Sequence, residues 1–341
     1  MPGLRRHSRG MDDFRAAKDA LAARFLVLRA RVPRAPRLAP RANVQGVGIG
    51  EQVVGGRPTG DLAVKILVRR KAPRAELMAR EVLPTTIDGL PVDVEEVGLL
   101  VAFRAAAAPA LAPAAAPNPR KRLRPARPGC SIGFEDPTGQ TVNAGTFGAM
   151  VMDQTDFYVL SNNHVIAGEN ALPVGTPIFQ PGLLDGGVSP ADEIAQLSHF
   201  IPLRPNQPNT VDCAIAVVTD PNITRPAILK IGMPLGTKAA AIDMVVEKFG
   251  RTTGYTTGRV TGIAFDVKVN YPTLGTIMFT DQITVEGLNN KPFSDSGDSG
   301  SLIVERQTKL AVGLLFGGSG ALTLGNHIDE VLQALNVELD P

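Results

Sequence analysis

A mainly β architecture, an antiparallel barrel or sandwich, is predicted by three features of the sequence. The 35 glycines and 28 prolines among 341 residues are spread along the chain, favouring short strands and turns over long helices. From residue 129 onward, short apolar runs alternate with Gly, Pro and Asn turns: Thr146–Met152, Phe157–Leu160, Cys213–Val218, Val245–Phe249, Arg259–Ile263, Ile277–Ile283, Ser301–Val304 and Ala311–Phe316. Hydrophobic residues make up 44%, an ordinary globular share that excludes wholesale disorder. No uncharged apolar run is long enough to span a membrane as a helix. Two cysteines cannot form a disulfide scaffold, and no Cys/His cluster has zinc spacing.

The elements divide the chain into four stretches. Residues 1–42 form a basic tail, with a helix over residues 11–31 whose start is favoured by Asp12 and Asp13, then an alternating Pro/Arg leash. The arginines at 24, 29 and 31 interrupt any secretory apolar core, and with the unpaired cysteines this favours the cytoplasm. Residues 43–103 form a small α+β module. It has strands Val44–Val54 and Leu62–Val68 around a turn at Gly55–Gly60, a helix opened by Pro73, and a strand Leu90–Val97. Its GVGIG, Gly46–Gly50, is not followed by a helix, so it lacks the N-terminus that a phosphate loop needs. Residues 104–128 form an Ala/Pro/Arg linker whose basic end is expected not to pack. Residues 129–341 form the β domain, closed by a helix over Ile328–Leu335.

The net charge of +2 conceals two basic arms on an acidic body. Neither arm interleaves aromatics for base stacking, so specific nucleic-acid binding is not expected and the arms read as solvated.

Three of the strand edges carry groups that can work together. Of four histidines, His7 lies in the tail, His199 reads as a loop residue and His327 as part of a helix cap. His164 ends an apolar strand at Ser161-Asn162-Asn163-His164. Asp212 heads the strand Cys213–Val218, and Ser299 sits in the glycine-flanked turn Ser296-Gly297-Asp298-Ser299-Gly300. A serine hydroxyl is a weak nucleophile that needs an adjacent base. His164 would take its proton and return it to the leaving amine, while Asp212 fixes the imidazole tautomer. The N–H groups of Gly297 and Ser299 would stabilise the oxyanion.

The phrases SNNHV, DCAIAVV and SGDSGSLIV resemble the three triad motifs of chymotrypsin-fold, trypsin-like serine proteases. Phe249–Gly262 and Ala311–Gly320 are similar to the corresponding stretches of bacterial streptogrisin-type enzymes. The resemblance spans roughly residues 145–335 and leaves the N-terminal module unmatched. It implies two six-stranded antiparallel barrels with the triad between them, and a serine endopeptidase acting on protein or peptide substrates without metal or cofactor. It also implies a substrate pocket with Phe293 near its base and Phe316, Gly317 and Gly318 along its wall. An apolar or small residue is then favoured before the cut. Phe316 stands where the family has a serine bonded to the triad aspartate, so Asp212 either lacks that support or has another donor. The rival readings are an inactive barrel kept as a peptide-binding scaffold, and an esterase on the same triad. The N-terminal module either regulates the cleft in cis, as a pro-region would, or docks independently.

Overall fold

The structure, a computed structural model, describes residues 10–26, 40–103, 118–135 and 143–340. Helix α1 (Met11–Phe25) starts where the Asp13 carboxylate accepts the Gly10 N–H at 3.1 Å. It buries Phe14, Ala17, Leu21 and Phe25, one helical face, against the first two strands. A single turn, α2 (Pro40–Asn43), leads into β1 (Val44–Val54), which hairpins with β2 (Arg57–Val68). The turn is narrower than the predicted Gly55–Gly60. Gly55 and Gly56 alone make it, both at positive φ, a conformation that suits the twist of a two-residue hairpin.

The helix expected after Pro73 is absent. Two 3₁₀ turns, Arg74–Glu76 and Ala79–Glu81, stand there with extended residues between them. Leu77, Met78 and Val82 offer too little apolar surface to repay helix nucleation, and Met78 is exposed. This segment is the crossover that lets β4 (Leu90–Glu96), after the short β3 (Thr86–Ile87), lie parallel to β2. A last short strand, β5 (Val101–Ala102), leaves the module.

Beyond it, two circuits of strands close. The first comprises β6 (Ser131–Phe134), β7 (Gly145–Thr146), β8 (Ala149–Met152), β9 (Phe157–Ser161), β10 (Pro177–Phe179), β11 (Glu193–Phe200) and β12 (Ala214–Val218). β7 and β8 are halves of one bent strand, bonded to β6 and to β9 respectively. The order β6, β7/β8, β9, β12, β11, β10 then returns to β6. One helical turn, α3 (Asn163–Ile166), follows β9.

The second circuit comprises β13 (Val245–Gly250), β14 (Gly254–Tyr271), β15 (Gly275–Gly287), β16 (Leu302–Glu305), β17 (Ala311–Gly318) and β18 (Thr323–His327). They are bonded in the order 13, 16, 17, 18, 15, 14 and back to 13. Helix α4 (Ile328–Leu335) then returns the chain to the first barrel, where β19 (Glu338–Leu339) pairs with β8. The chain is therefore a mainly β, double six-stranded antiparallel barrel preceded by a small α+β module.

That module does not stand apart. β1 pairs antiparallel with the second half of β14, from Gly46 opposite Val267 to Gly50 opposite Gly262, so β14, β1, β2, β4 and β3 continue one sheet. The GVGIG glycines serve this contact, because the Phe265 ring lies directly over Gly48.

The basic end of the linker packs, against expectation. Ala126 is fully buried, Arg122 and Arg124 both reach Asp192 (2.6 and 3.3 Å), and Arg127 Nε donates to the Ala227 carbonyl at 2.9 Å. Composition had marked these arginines as solvated, but an acidic partner and backbone carbonyls on the barrel receive them. The predicted Ala/Pro spacer over 104–117, His7 and most of the Pro/Arg leash fall outside the described residues. His199 is exposed but lies within β11 rather than in a loop.

A Cβ at residue 48 would lie 2.3 Å from Phe265 Cγ. Gly48→Ala should therefore lower stability by about 1–3 kcal/mol, read as a reduced urea midpoint at unchanged m-value.

Candidate active site

Strand pairing alone brings His164 to Asp212. Ser161 at the end of β9 lies opposite Ala214 at the start of β12, so the residues just beyond each end meet. Asn162 turns the chain into α3 and donates from Nδ2 to the Asp212 carbonyl at 2.7 Å. His164 Nδ1 stands 2.6 Å from Asp212 Oδ2, and the His164 backbone N–H reaches Oδ1 at 3.3 Å. Both side chains are buried. Nδ1 donates to the carboxylate, which leaves Nε2 as the acceptor nitrogen, and Nε2 has no hydrogen-bond partner.

A second residue donates to the Asp212 carboxylate: the Tyr271 hydroxyl reaches Oδ2 at 2.7 Å. It stands at the end of β14 with its ring edge-on to His164, 5.9 Å between centroids. Burial, reinforced by the Asp212 charge, pushes this phenol well above its ordinary range, so it remains a donor. Asn326 completes the support, its Oδ1 accepting the Asp212 N–H at 2.9 Å while its Nδ2 donates to Gln282 at 2.6 Å. Where the resemblance would place a serine donor at 316, the hydrogen bond to the aspartate comes instead from a tyrosine 59 residues beyond it. Phe316 packs on Phe279 instead, and Phe279 stacks on Tyr271.

Ser299 comes from the second barrel but is held by the first. Thr146 in β7 donates from N–H to the Ser299 carbonyl (2.8 Å) and from Oγ1 to the Gly297 carbonyl (3.0 Å). A Cβ on Gly300 would strike Ser161 Oγ at 2.3 Å, so the serine turn lies against the end of the strand that carries His164. Gly297 has φ +98°, a left-handed conformation that glycine adopts freely. The N–H groups of Gly297 and Ser299 meet no acceptor among the described residues. The Ser299 hydroxyl donates to the Phe316 carbonyl at 3.2 Å and is not bonded to His164. The structure therefore joins His164 to Asp212 directly, packs the serine turn against Thr146 and Ser161 of the first barrel, and turns the Ser299 hydroxyl to the Phe316 carbonyl.

A buried ion pair shapes the turn. The Asp298 carboxylate accepts N–H bonds from Thr252 (2.8 Å), Thr253 (3.1 Å) and Asp295 (3.0 Å), the Thr253 hydroxyl (2.7 Å), and Lys248 Nζ (3.1 Å). Lys248 and Asp298 are both inaccessible to solvent. Burial pulls the Lys248 ammonium below its usual range, against the opposing pull of Asp298. Asp295 braces the serine turn, its carbonyl accepting the Asp298 N–H at 3.0 Å. Arg251 forks onto Asp185 of the first barrel at 2.6 and 2.7 Å, pinning the barrels together beside the turn.

The expected pocket residues lie along β17 and behind it. Phe293 is buried in the second barrel's cluster with Val260, Val285 and Val312, while Phe316, Gly317 and Gly318 are buried at the end of β17. Cys213 and Cys130 are both free and buried; burial pushes the Cys130 thiol up to about 12. No group of three or more His, Cys, Asp or Glu side chains converges as a metal site would require, among the described residues. No helix among them is long and apolar enough to cross a membrane.

A family model described as the Nal1 C-terminal domain matches residues 229–328, which include all six strands of the second barrel. No curated relative matches the sequence. Among solved structures, the chain is similar to Thermobifida fusca protease A, with 18% identity over 62% of this chain and 96% of that one, at a TM-score of 0.44. It is likewise similar to a glutamic acid specific serine protease (19%, 63% and 100%, 0.44) and to Cellulomonas bogoriensis chymotrypsin (17%, 62% and 97%, 0.42). The two closed strand circuits, rather than these overlaps, define the fold.

Lys248→Met would leave the Asp298 charge buried without its cation, which should cost about 3–5 kcal/mol of stability. Adding Asp298→Asn should recover part of that loss, and the two denaturation midpoints measure it.

Proposed function

We propose that the chain is a serine endopeptidase in which Ser299 is the nucleophile, His164 the general base and acid, and Asp212 the residue that orients the imidazole. The observation that carries this reading is the His164–Asp212 bond of 2.6 Å, which leaves Nε2, the nitrogen a serine hydroxyl would use, without a hydrogen-bond partner among the described residues. In the reacting state the Ser299 hydroxyl would leave the Phe316 carbonyl and donate to that nitrogen. Attack on a peptide carbonyl then forms an ester to Oγ. His164 takes the hydroxyl proton and passes it to the departing amine, and water hydrolyses the ester by the same route. The N–H groups of Gly297 and Ser299 would receive the oxyanion, a single such donor being worth roughly 10²–10³ in rate. The chemistry calls on no metal or cofactor. Tyr271 is a positioning residue: it acts through Asp212 and touches no reacting atom.

The direct test is labelling by a fluorophosphonate probe. Wild type should label and Ser299→Ala should not; a folded wild type that stays unlabelled would support the inactive scaffold instead.

Tyr271→Phe removes one donor from the carboxylate. The carboxylate then holds the imidazole less firmly in place, and kcat should fall about ten- to a hundredfold with KM little changed. A lowered denaturation midpoint with kcat unchanged would mean that Tyr271 serves the fold alone.

A further inference from the structure

The wall of the cleft is already occupied by the chain itself. Backbone bonds between β16 and β17 run past Leu302 opposite Leu314 to Leu315, which meets the Ser301 carbonyl and the Gly300 N–H, and end there as the chain enters the serine turn. From Phe316 to Gly318 that edge of β17 is free to accept another strand. β5 takes it in antiparallel register, Ala102 opposite Gly317 and Val101 opposite Gly318, and the Phe103 N–H extends the ladder to the Phe316 carbonyl at 3.4 Å. This oxygen also receives the Ser299 hydroxyl, so the Phe103 backbone and the proposed nucleophile share one acceptor.

The fit is close. A Cβ on Gly317 would lie 2.6 Å from the Val101 carbonyl oxygen, so only glycine lets the strand approach so nearly. The Phe103 side chain is buried in the same apolar cluster as Phe293, the residue placed at the base of the pocket. Upstream the segment is anchored: Leu100 is fully buried and its carbonyl accepts the Asn270 N–H at 3.0 Å, one residue before Tyr271. Ser299 is fully buried and His164 nearly so.

We propose that Val101-Ala102-Phe103 is a built-in occupant of the substrate strand, which keeps the cleft latent and shows that its pocket takes a large apolar, aromatic side chain before the cut. The main-chain ladder supplies affinity and the pocket supplies side-chain selection, the division of labour of β-strand addition generally. An incoming peptide must displace the segment, so its apparent affinity falls by the fraction of molecules in which the edge is open. The proposal rests on the peptidase reading for its consequence, but the occupancy itself can be measured without catalysis.

The test uses the full chain with Phe103→Asp, which places a charge in an apolar pocket, and Phe103→Leu, which keeps the pocket filled. In a Ser299→Ala background, hydrogen exchange of the amides of residues 101–103 should quicken at least about tenfold in Phe103→Asp and stay near wild type in Phe103→Leu. Unchanged protection in a folded Phe103→Asp chain overturns the proposal. With Ser299 restored, Phe103→Asp should label with fluorophosphonate at least about tenfold faster than wild type, and equal rates overturn latency. That chain should cleave Val-Ala-Phe p-nitroanilide at least about tenfold better, by kcat/KM, than the Lys or Glu counterpart; equal or reversed preference overturns the pocket assignment. Altered exchange with no labelling of any chain leaves the occupancy standing and removes the peptidase reading. Should Phe103→Asp fail to fold, Phe103→Ala carries the same measurements.

Discussion

One strand governs the rest of the molecule. The 18 residues of Gly254–Tyr271 close the second barrel with their first half and carry the N-terminal sheet on their second. At their end they deliver a phenol to the carboxylate that orients His164. A strand bonded on both edges cannot slip register without turning its buried side chains outward. The place of Tyr271 is therefore fixed by both the barrel and the module, and the support of Asp212 becomes a property of the whole second sheet rather than of the loop around it.

The cleft is built from opposed commitments. Barrel one supplies an imidazole and a carboxylate through paired strand ends, and barrel two supplies the serine turn. Thr146 and the Arg251–Asp185 fork hold the two together. The turn is stiffened by a charge pair taken wholly out of water, which is costly unless its geometry is nearly complete, and five donors on the Asp298 carboxylate complete it. Within that braced turn the N–H groups of Gly297 and Ser299 meet no acceptor among the described residues.

Much of this was legible in the sequence because it is local. Alternation located β1, β9, β12, β13, β16 and β17 closely, the terminal helix fell on Ile328–Leu335, and the three polar strand edges were readable as candidates. Three things were not. The helix after Pro73 rests on the proline's place at a helix start, which does not say whether the segment has a surface to bury against. The arginines of the linker looked solvated because their partner, Asp192, lies some 70 residues away. Tyr271 carried no motif at all: its role arises from a contact between a strand end and an aspartate in different barrels. Val101–Phe103 was hidden likewise, since an ordinary apolar tripeptide acquires meaning only from the bare edge it meets.

The shared sheet also bears on how the molecule is made. β1 leaves the ribosome roughly 200 residues before the strand it pairs with, an interval on the order of 10–40 s at ordinary synthesis rates. For that time an apolar hairpin carries one unsatisfied backbone edge, an invitation to mispairing with neighbouring nascent chains. The α1 helix, already synthesised and able to cover one face of that hairpin, is what the growing chain has to shield it until β14 arrives.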